Sequence, residues 1–95
     1  MAKYEMLYLL NNDLTDEAKA GKVEKYENIV KTMNGTVVST DKWGTKKLSY
    51  AIKFKNEAYY VLMTFEANGD VVNELTRVAG IDADVFRNMI TKVSK

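Results

Sequence analysis

Residues 4–17, YEMLYLLNNDLTDE, carry the pattern on which the fold prediction depends, a strand that turns and passes directly into a helix. The even-numbered positions of YEMLYLL are all apolar, namely Tyr4, Met6, Tyr8 and Leu10. Because strand side chains alternate between two faces, this run predicts a strand whose even positions face a core. The polar residues that follow supply a turn, an N-cap at Asp13 or Thr15, and acidic side chains where a helix dipole favours them.

Further along, apolar residues recur at helical spacing up to Met33, and Asn34-Gly35 predicts a left-handed end to a helix over residues 16–33. The β-branched run from Thr36 predicts a second strand that continues through a basic stretch to Phe54. Residues 55–57 are expected to reverse the chain before a third strand over residues 58–67.

After this hairpin, an apolar pattern from Val71 to Gly80 predicts a second helix, and residues 85–93 predict a fourth strand. The order β-α-β-β-α-β is that of an α+β ferredoxin-like sandwich, a four-stranded antiparallel sheet with both helices on one face. Residues 1–95 are expected to form one domain. The predicted core consists of Met6, Tyr8, Leu10, Tyr26, Ile29, Val30, Val37, Val61, Met63, Phe65, Leu75 and Ile90.

Composition argues against enzyme chemistry. The chain has no Cys and no His, which removes the usual zinc ligands, thiol nucleophiles and the commonest general base. We therefore expect no catalytic residues, no metal and no cofactor. The 14 Lys and Arg nearly balance the 13 Asp and Glu, so an anionic partner must be met by a local basic patch. No apolar run could span a bilayer and no signal-peptide pattern is present, so a cytoplasmic protein without membrane contact is expected.

The same fold serves several functions, and three of them are alternatives for this sequence. A phosphate-cleaving enzyme of the acylphosphatase type needs a glycine-rich cradle, whereas the loop at residues 11–16 is glycine-free and acidic. An RNA-recognition motif is suggested by LYLLNN at residues 7–12, but NEAYYVLM lacks both glycines of that motif and has one aromatic in register, Tyr60. A regulatory domain that dimerises through a strand edge stays open, although no ligand-binding loop is found.

The basic stretch WGTKKLSYAIKFK, residues 43–55, interleaves aromatic and charged side chains on a predicted strand. Lys46 and Lys47 can act as charges that stop an edge strand from pairing with a copy of itself. Interleaved lysines and rings are also used to bind RNA, with lysines on phosphates and rings on bases or on a protein. Trp43 either faces such a partner or folds back over the core.

The segment Trp43-Gly44-x-Lys46-Lys47-Leu48-x-Tyr50-x-Ile52 resembles the signature W/L-G-x-R-x-L-A-Y-P-I of the ribosomal protein six family of the bacterial small subunit. Three further segments are similar to that family, namely Lys3-Tyr4-Glu5, Tyr59-Tyr60 and the run Val85–Met89, which resembles V-x-R-x-M. The chain departs from the family where lysines replace arginines, where Ala51 replaces proline, and where Asn88 occupies an expected core position.

The resemblance implies a structural component of the small ribosomal subunit that binds the central domain of small-subunit ribosomal RNA together with ribosomal protein eighteen. A monomer is expected when the chain is free, with no small-molecule substrate. The candidate RNA contacts are Lys3, Lys46, Lys47, Arg87 and Lys92. The candidate protein-partner residues are Trp43 and Leu48, because an exposed edge strand with apolar side chains is a ready site for a second chain.

Overall fold

The computed structural model describes residues 1–52 and 55–94. Its elements are β1 (Ala2–Asn11), α1 (Asp16–Thr32), β2 (Thr36–Ile52), β3 (Lys55–Ala67), α2 (Gly69–Ile81) and β4 (Val85–Ser94). All strand pairs are antiparallel, and the strands lie in the order β2-β3-β1-β4, so that β2 and β4 are the two edges. This confirms the predicted order of elements and the ferredoxin-like class.

The register of the central strand explains which side chains form the core. Tyr8 lies opposite Val61 on β3 and opposite Asn88 on β4. The even-numbered residues of β1 thus lie opposite odd-numbered residues of β3, as Met6 does opposite Met63. Side chains of one parity therefore share one face of the sheet, where they pack against both helices. Within the predicted core, the fully buried residues are Met6, Tyr8, Leu10, Tyr26, Val30, Val61, Met63, Phe65 and Leu75. The three others, Ile29, Val37 and Ile90, are half-buried and pack against that cluster.

The ends of α1 follow from local hydrogen bonding. Thr15 is the N-cap, since its hydroxyl accepts from the backbone N–H of Ala18 at 3.1 Å. After the helix, Asn34 adopts a φ of 68°, so the left-handed residue is the asparagine of the Asn34-Gly35 pair. Gly35 is required for another reason: a Cβ there would lie 2.7 Å from Cγ1 of the buried Val30.

The predicted reversal at residues 55–57 is wrong, because these residues begin β3. Lys47 lies opposite Glu57, and Ile52 lies opposite Lys55. Their charges had indicated a turn, but exposed positions of a two-stranded ribbon tolerate charge equally well. The predicted strand end at Phe54 lies outside the described residues. Because β1 pairs with β3 only as far as Ala58, residues 47–52 and 55–57 project beyond β1 and are here named the hairpin arm.

No helix in the described part of the chain is long and apolar enough to cross a membrane.

Candidate RNA and protein interface

The face of the sheet opposite the helices carries an aromatic pair, of which Trp43 is exposed and Tyr60 is half-buried. Tyr60 and Leu62 alternate with the buried core residues of β3 and therefore point to this side, named the open face. The rings of Trp43 and Tyr60 stack with their centroids 6.3 Å apart and their planes inclined by 13°. Trp43 remains 46% exposed and is not part of the core cluster. The structure thus has Trp43 exposed and not folded back over the core.

A register shift in β2 sets the position of Trp43. Lys42 lies opposite Val61 and Gly44 opposite Tyr60, so Trp43 is an extra residue between two adjacent pairs. Gly44 has a φ of 85°, which other residues rarely adopt. An extra residue followed by a left-handed glycine bends a strand and redirects its side chains. Because Lys42 shares the helix-facing parity of Val61, Trp43 belongs to the open face, and the extra residue places its indole beside Tyr60.

The two adjacent lysines point in different directions. Lys46 lies opposite Ala58, and its ammonium nitrogen is 5.9 Å from the centre of the Trp43 ring, within cation–π range. Lys47 is the next residue along the strand, lies opposite Glu57, and therefore belongs to the other face. Both are exposed, but only Lys46 joins the aromatic pair.

Arg87, on the opposite edge of the sheet, contacts the hairpin arm. It lies on β4 opposite Leu9, in the same row as Tyr60, and its Nη1 donates to the hydroxyl of Tyr50 at 3.0 Å. Leu9, between Tyr60 and Arg87, is only 5% exposed although it belongs to the open face. Leu48, the other predicted partner residue, is half-buried at the start of the segment of β2 that contains Tyr50.

Lys3 and Lys92 lie at the far end of the sheet. Lys3 is half-buried opposite Glu66, and Lys92 is exposed opposite Tyr4. Lys3 is six residues from Leu9 along β1, a separation of roughly 20 Å in a strand. The structure therefore brings Lys46 and Arg87 to the same end as Trp43, whereas Lys3 and Lys92 are remote from them.

Two acidic residues away from the open face are engaged in structural contacts. Asp13 forms an ion pair with Lys55 of the hairpin arm, and Asp82 forms one with Lys22 of α1. Within the described residues, no three His, Cys, Asp or Glu side chains are grouped so that they could hold a metal ion. A polar groove of about 560 Å³ lies between α1 and β2, where Glu27 accepts a hydrogen bond from Thr40 at 2.6 Å. It contains none of the predicted site residues.

Comparison with known families decides the identity. A family model described as ribosomal protein S6 matches residues 3–92. The chain belongs to the ribosomal protein S6 family. Members are structural components of the small ribosomal subunit in the cytoplasmic ribosome and not enzymes, which agrees with the predicted class and location.

Individual relatives of the S6 family agree over nearly the whole chain. Small ribosomal subunit protein bS6 of Caldanaerobacter subterraneus is 40% identical over 92 residues, which are 97% of either chain. The protein of the same name from Thermoanaerobacter pseudethanolicus is 38% identical over the full length of both. The crystal structure of 30S ribosomal protein S6 from Thermotoga maritima superposes with a TM-score of 0.91 over 97% of this chain and 87% of that one. At 22% identity, that match supports the fold alone.

Two members of the site were not predicted as such. Tyr50 stands inside the family signature and Tyr60 in a predicted strand, but neither sequence pattern shows that they contact Arg87 and Trp43. The one available signal was Gly44, since an isolated glycine within a strand pattern indicates a bulge.

Proposed function

We propose that this S6 family member binds the central domain of small-subunit ribosomal RNA together with ribosomal protein eighteen. Family membership supports the ribosomal setting. The arrangement of side chains on the open face supports the mode of binding, in which a rigid sheet presents cations and rings without any chemical reaction.

One observation carries the proposal: the Lys46 ammonium lies over the exposed Trp43 ring, which itself stacks on Tyr60. A flat aromatic surface with a cation at its border suits two partners side by side. The rings offer apolar contact to a protein, and the cation offers its charge to an RNA phosphate. Ring stacking also holds Trp43 in one orientation, so less side-chain entropy is lost when a partner covers it.

The charge balance sets the expected strength. Formal net charge is +1, so the chain can neutralise only a few phosphates through the patch around Lys46 and Arg87. Lys3, Lys47 and Lys92 would add separate contacts at other points of the molecule. Binding to RNA alone should be weak, and the partner protein, docked on Trp43 and Leu48, should strengthen it. The free chain is proposed to be a monomer.

The experiment is a titration of a central-domain RNA fragment with the chain, with and without ribosomal protein eighteen, at several salt concentrations. The partner should raise affinity at least about fivefold, the lower end of typical coupling between ligands. Lys46→Met should weaken binding and reduce the salt slope by about one unit. Lys25→Met removes the same charge from α1 and serves as the control. Equal affinity with and without the partner would remove the cooperative part, and an unchanged slope in Lys46→Met would remove Lys46 from the RNA contact.

A further inference from the structure

The hydrogen bond between Arg87 and Tyr50 joins the two edge strands of the sheet. Arg87 lies on β4 and Tyr50 on β2, with β3 and β1 between them in the strand order. Three strand spacings amount to about 14 Å, yet Nη1 of Arg87 lies 3.0 Å from the Tyr50 hydroxyl. The two long side chains span this separation, so that the hairpin arm is joined to β4 across the end of the sheet.

A local irregularity in β2 places Tyr50 there. Lys47 lies opposite Glu57 and Ile52 opposite Lys55, so residues 48–51 face the single residue Asn56. Surplus residues in one strand of a pair bend that strand and redirect its side chains. Tyr50, in the middle of the surplus segment, is 60% exposed and directed to Arg87 instead of to its own hairpin.

Among the residues that the structure describes, Tyr50 is the one side chain that hydrogen-bonds to the Arg87 guanidinium. An arginine has five N–H donors in a planar fork, and Tyr50 accepts from Nη1. The remaining donors, at Nε and Nη2, can still form the paired hydrogen bonds that a phosphate accepts. A hydroxyl that fixes one corner of the fork lowers the entropy lost when the rest binds.

We infer that Tyr50 is a positioning residue, which holds the Arg87 guanidinium across the end of the sheet in the orientation that contacts an RNA phosphate. The inference rests on the proposed function. It adds that the hairpin arm contributes to RNA binding through Arg87. Affinity for RNA then depends on the Tyr50 hydroxyl, although this group carries no charge.

The test is a double-mutant cycle measured as affinity for the central-domain RNA fragment in the presence of ribosomal protein eighteen. Tyr50→Phe keeps the ring and removes the hydroxyl, and Arg87→Met removes the guanidinium. Tyr50→Phe should weaken binding by about three- to tenfold, the value of one hydrogen bond. In the Arg87→Met background the same change should have no effect, because coupled residues are not additive. Tyr59→Phe, which removes a hydroxyl from β3 but keeps the ring beneath Lys19, is the matched control.

A measurement on the free protein tests the geometry without RNA. In the wild type, the Arg87 guanidinium N–H signals should be resolved by NMR because Tyr50 restricts rotation, and they should average in Tyr50→Phe. Thermal unfolding midpoints of all variants should agree, which separates positioning from loss of structure.

The possible outcomes separate the positioning role of Tyr50 from the RNA contact of Arg87. Weakened binding in Arg87→Met with full affinity in Tyr50→Phe would overturn the positioning role alone. Equal loss from Tyr50→Phe in both backgrounds would also overturn it, since Tyr50 would then act independently. Guanidinium signals unchanged by Tyr50→Phe would do the same. If Arg87→Met binds like the wild type, the assignment of Arg87 as an RNA contact fails, and the role of Tyr50 fails with it.

Discussion

The ammonium nitrogen of Lys22 lies 2.7 Å from Oδ2 of Asp82, a carboxylate whose side chain is only 7% exposed. The hydroxyl of Tyr26 donates to the same oxygen at 3.1 Å, and the backbone N–H of Asp84 donates to Oδ1 at 3.0 Å. Lys22 and Tyr26 belong to α1, whereas Asp82 directly follows α2. This network therefore ties the first helix to the connection that leads into β4, and so fixes one side of the helical layer.

The Asp82 network predicts acid sensitivity. Burial alone would raise the pKa of Asp82, but hydrogen bonds from Lys22 and Asp84, with the Lys22 charge and the Tyr26 hydroxyl, hold that pKa below its usual range. A carboxyl whose pKa is lowered by folding stabilises the fold above its unfolded pKa of about 3.9. That contribution disappears as the pH falls through the lower folded pKa, so the window lies below about pH 4.

Asp82→Asn should lower the free energy of unfolding at pH 7 by about 1 to 3 kcal/mol, the worth of a charged hydrogen bond. As the pH falls through the lowered pKa of folded Asp82, the difference from the wild type should shrink, because Asp82 then becomes neutral as well. Urea unfolding at each pH measures this, with Asp41→Asn, an exposed position of β2, as the control. If the free energies of unfolding of the wild type and Asp82→Asn change in parallel with pH, the charge of Asp82 contributes nothing to stability.

Two glycines should respond to alanine in opposite directions. A Cβ at Gly35 would lie 2.7 Å from Val30 Cγ1 and 3.0 Å from the carbonyl oxygen of Glu66. A Cβ at Gly21 in α1 would have no heavy atom within 4 Å, apart from its chain neighbours and the backbone of its own helix. Gly35→Ala should cost about 1 to 3 kcal/mol through overpacking. Gly21→Ala should stabilise the helix by about 0.5 to 1 kcal/mol. Thermal unfolding measures both, and a shift of the same sign in the two variants would contradict the assignment.

The core could be predicted because its pattern is local. The even positions of β1 and the helical spacing of α1 specify which side chains turn inward, and the structure buries Met6, Tyr8 and Val30 as expected. Asn88 also follows its predicted parity: it lies opposite Tyr8 and is half-buried. These assignments need only the periods of strands and helices.

The site could be predicted only in part because it depends on pairing between distant segments. Trp43 and Lys46 are close in sequence and were expected together, but the contacts with Tyr60 and Arg87 follow from register shifts in β2. A register shift has no periodic signature in the sequence, and a change of one residue moves a side chain to the other face. The start of β3 at Lys55 could not be predicted for a different reason, since the charged and polar residues 55–57 are equally typical of a turn.

The two basic residues of the signature should have separable effects. The Lys46→Ala and Lys47→Ala double variant should self-associate as concentration rises, because β2 is an edge strand that loses its repelling charges. Assembly with RNA and ribosomal protein eighteen should fall at the same time. Light scattering and gel shift measure the two effects, with a Lys25→Ala and Lys31→Ala double variant on α1 as the control. In single variants, the loss of assembly should be larger for Lys46, which lies on the Trp43 face, than for Lys47, which lies on the other face.

A double variant that stays monomeric yet fails to assemble would leave only the binding role for these lysines. One that self-associates but assembles normally would leave only protection of the edge.

Trp43 provides a direct probe of the partner surface, because it is the single tryptophan of the chain and is 46% exposed. If ribosomal protein eighteen covers it, the emission should shift to shorter wavelength on binding, since the indole leaves water. Trp43→Ala should weaken partner binding by about 2 kcal/mol, or roughly 30-fold, as expected for a buried aromatic anchor. Val38→Ala removes an apolar side chain of similar exposure from the same strand and should have little effect. Unchanged emission at saturation, together with full affinity of Trp43→Ala, would place the partner elsewhere on the sheet.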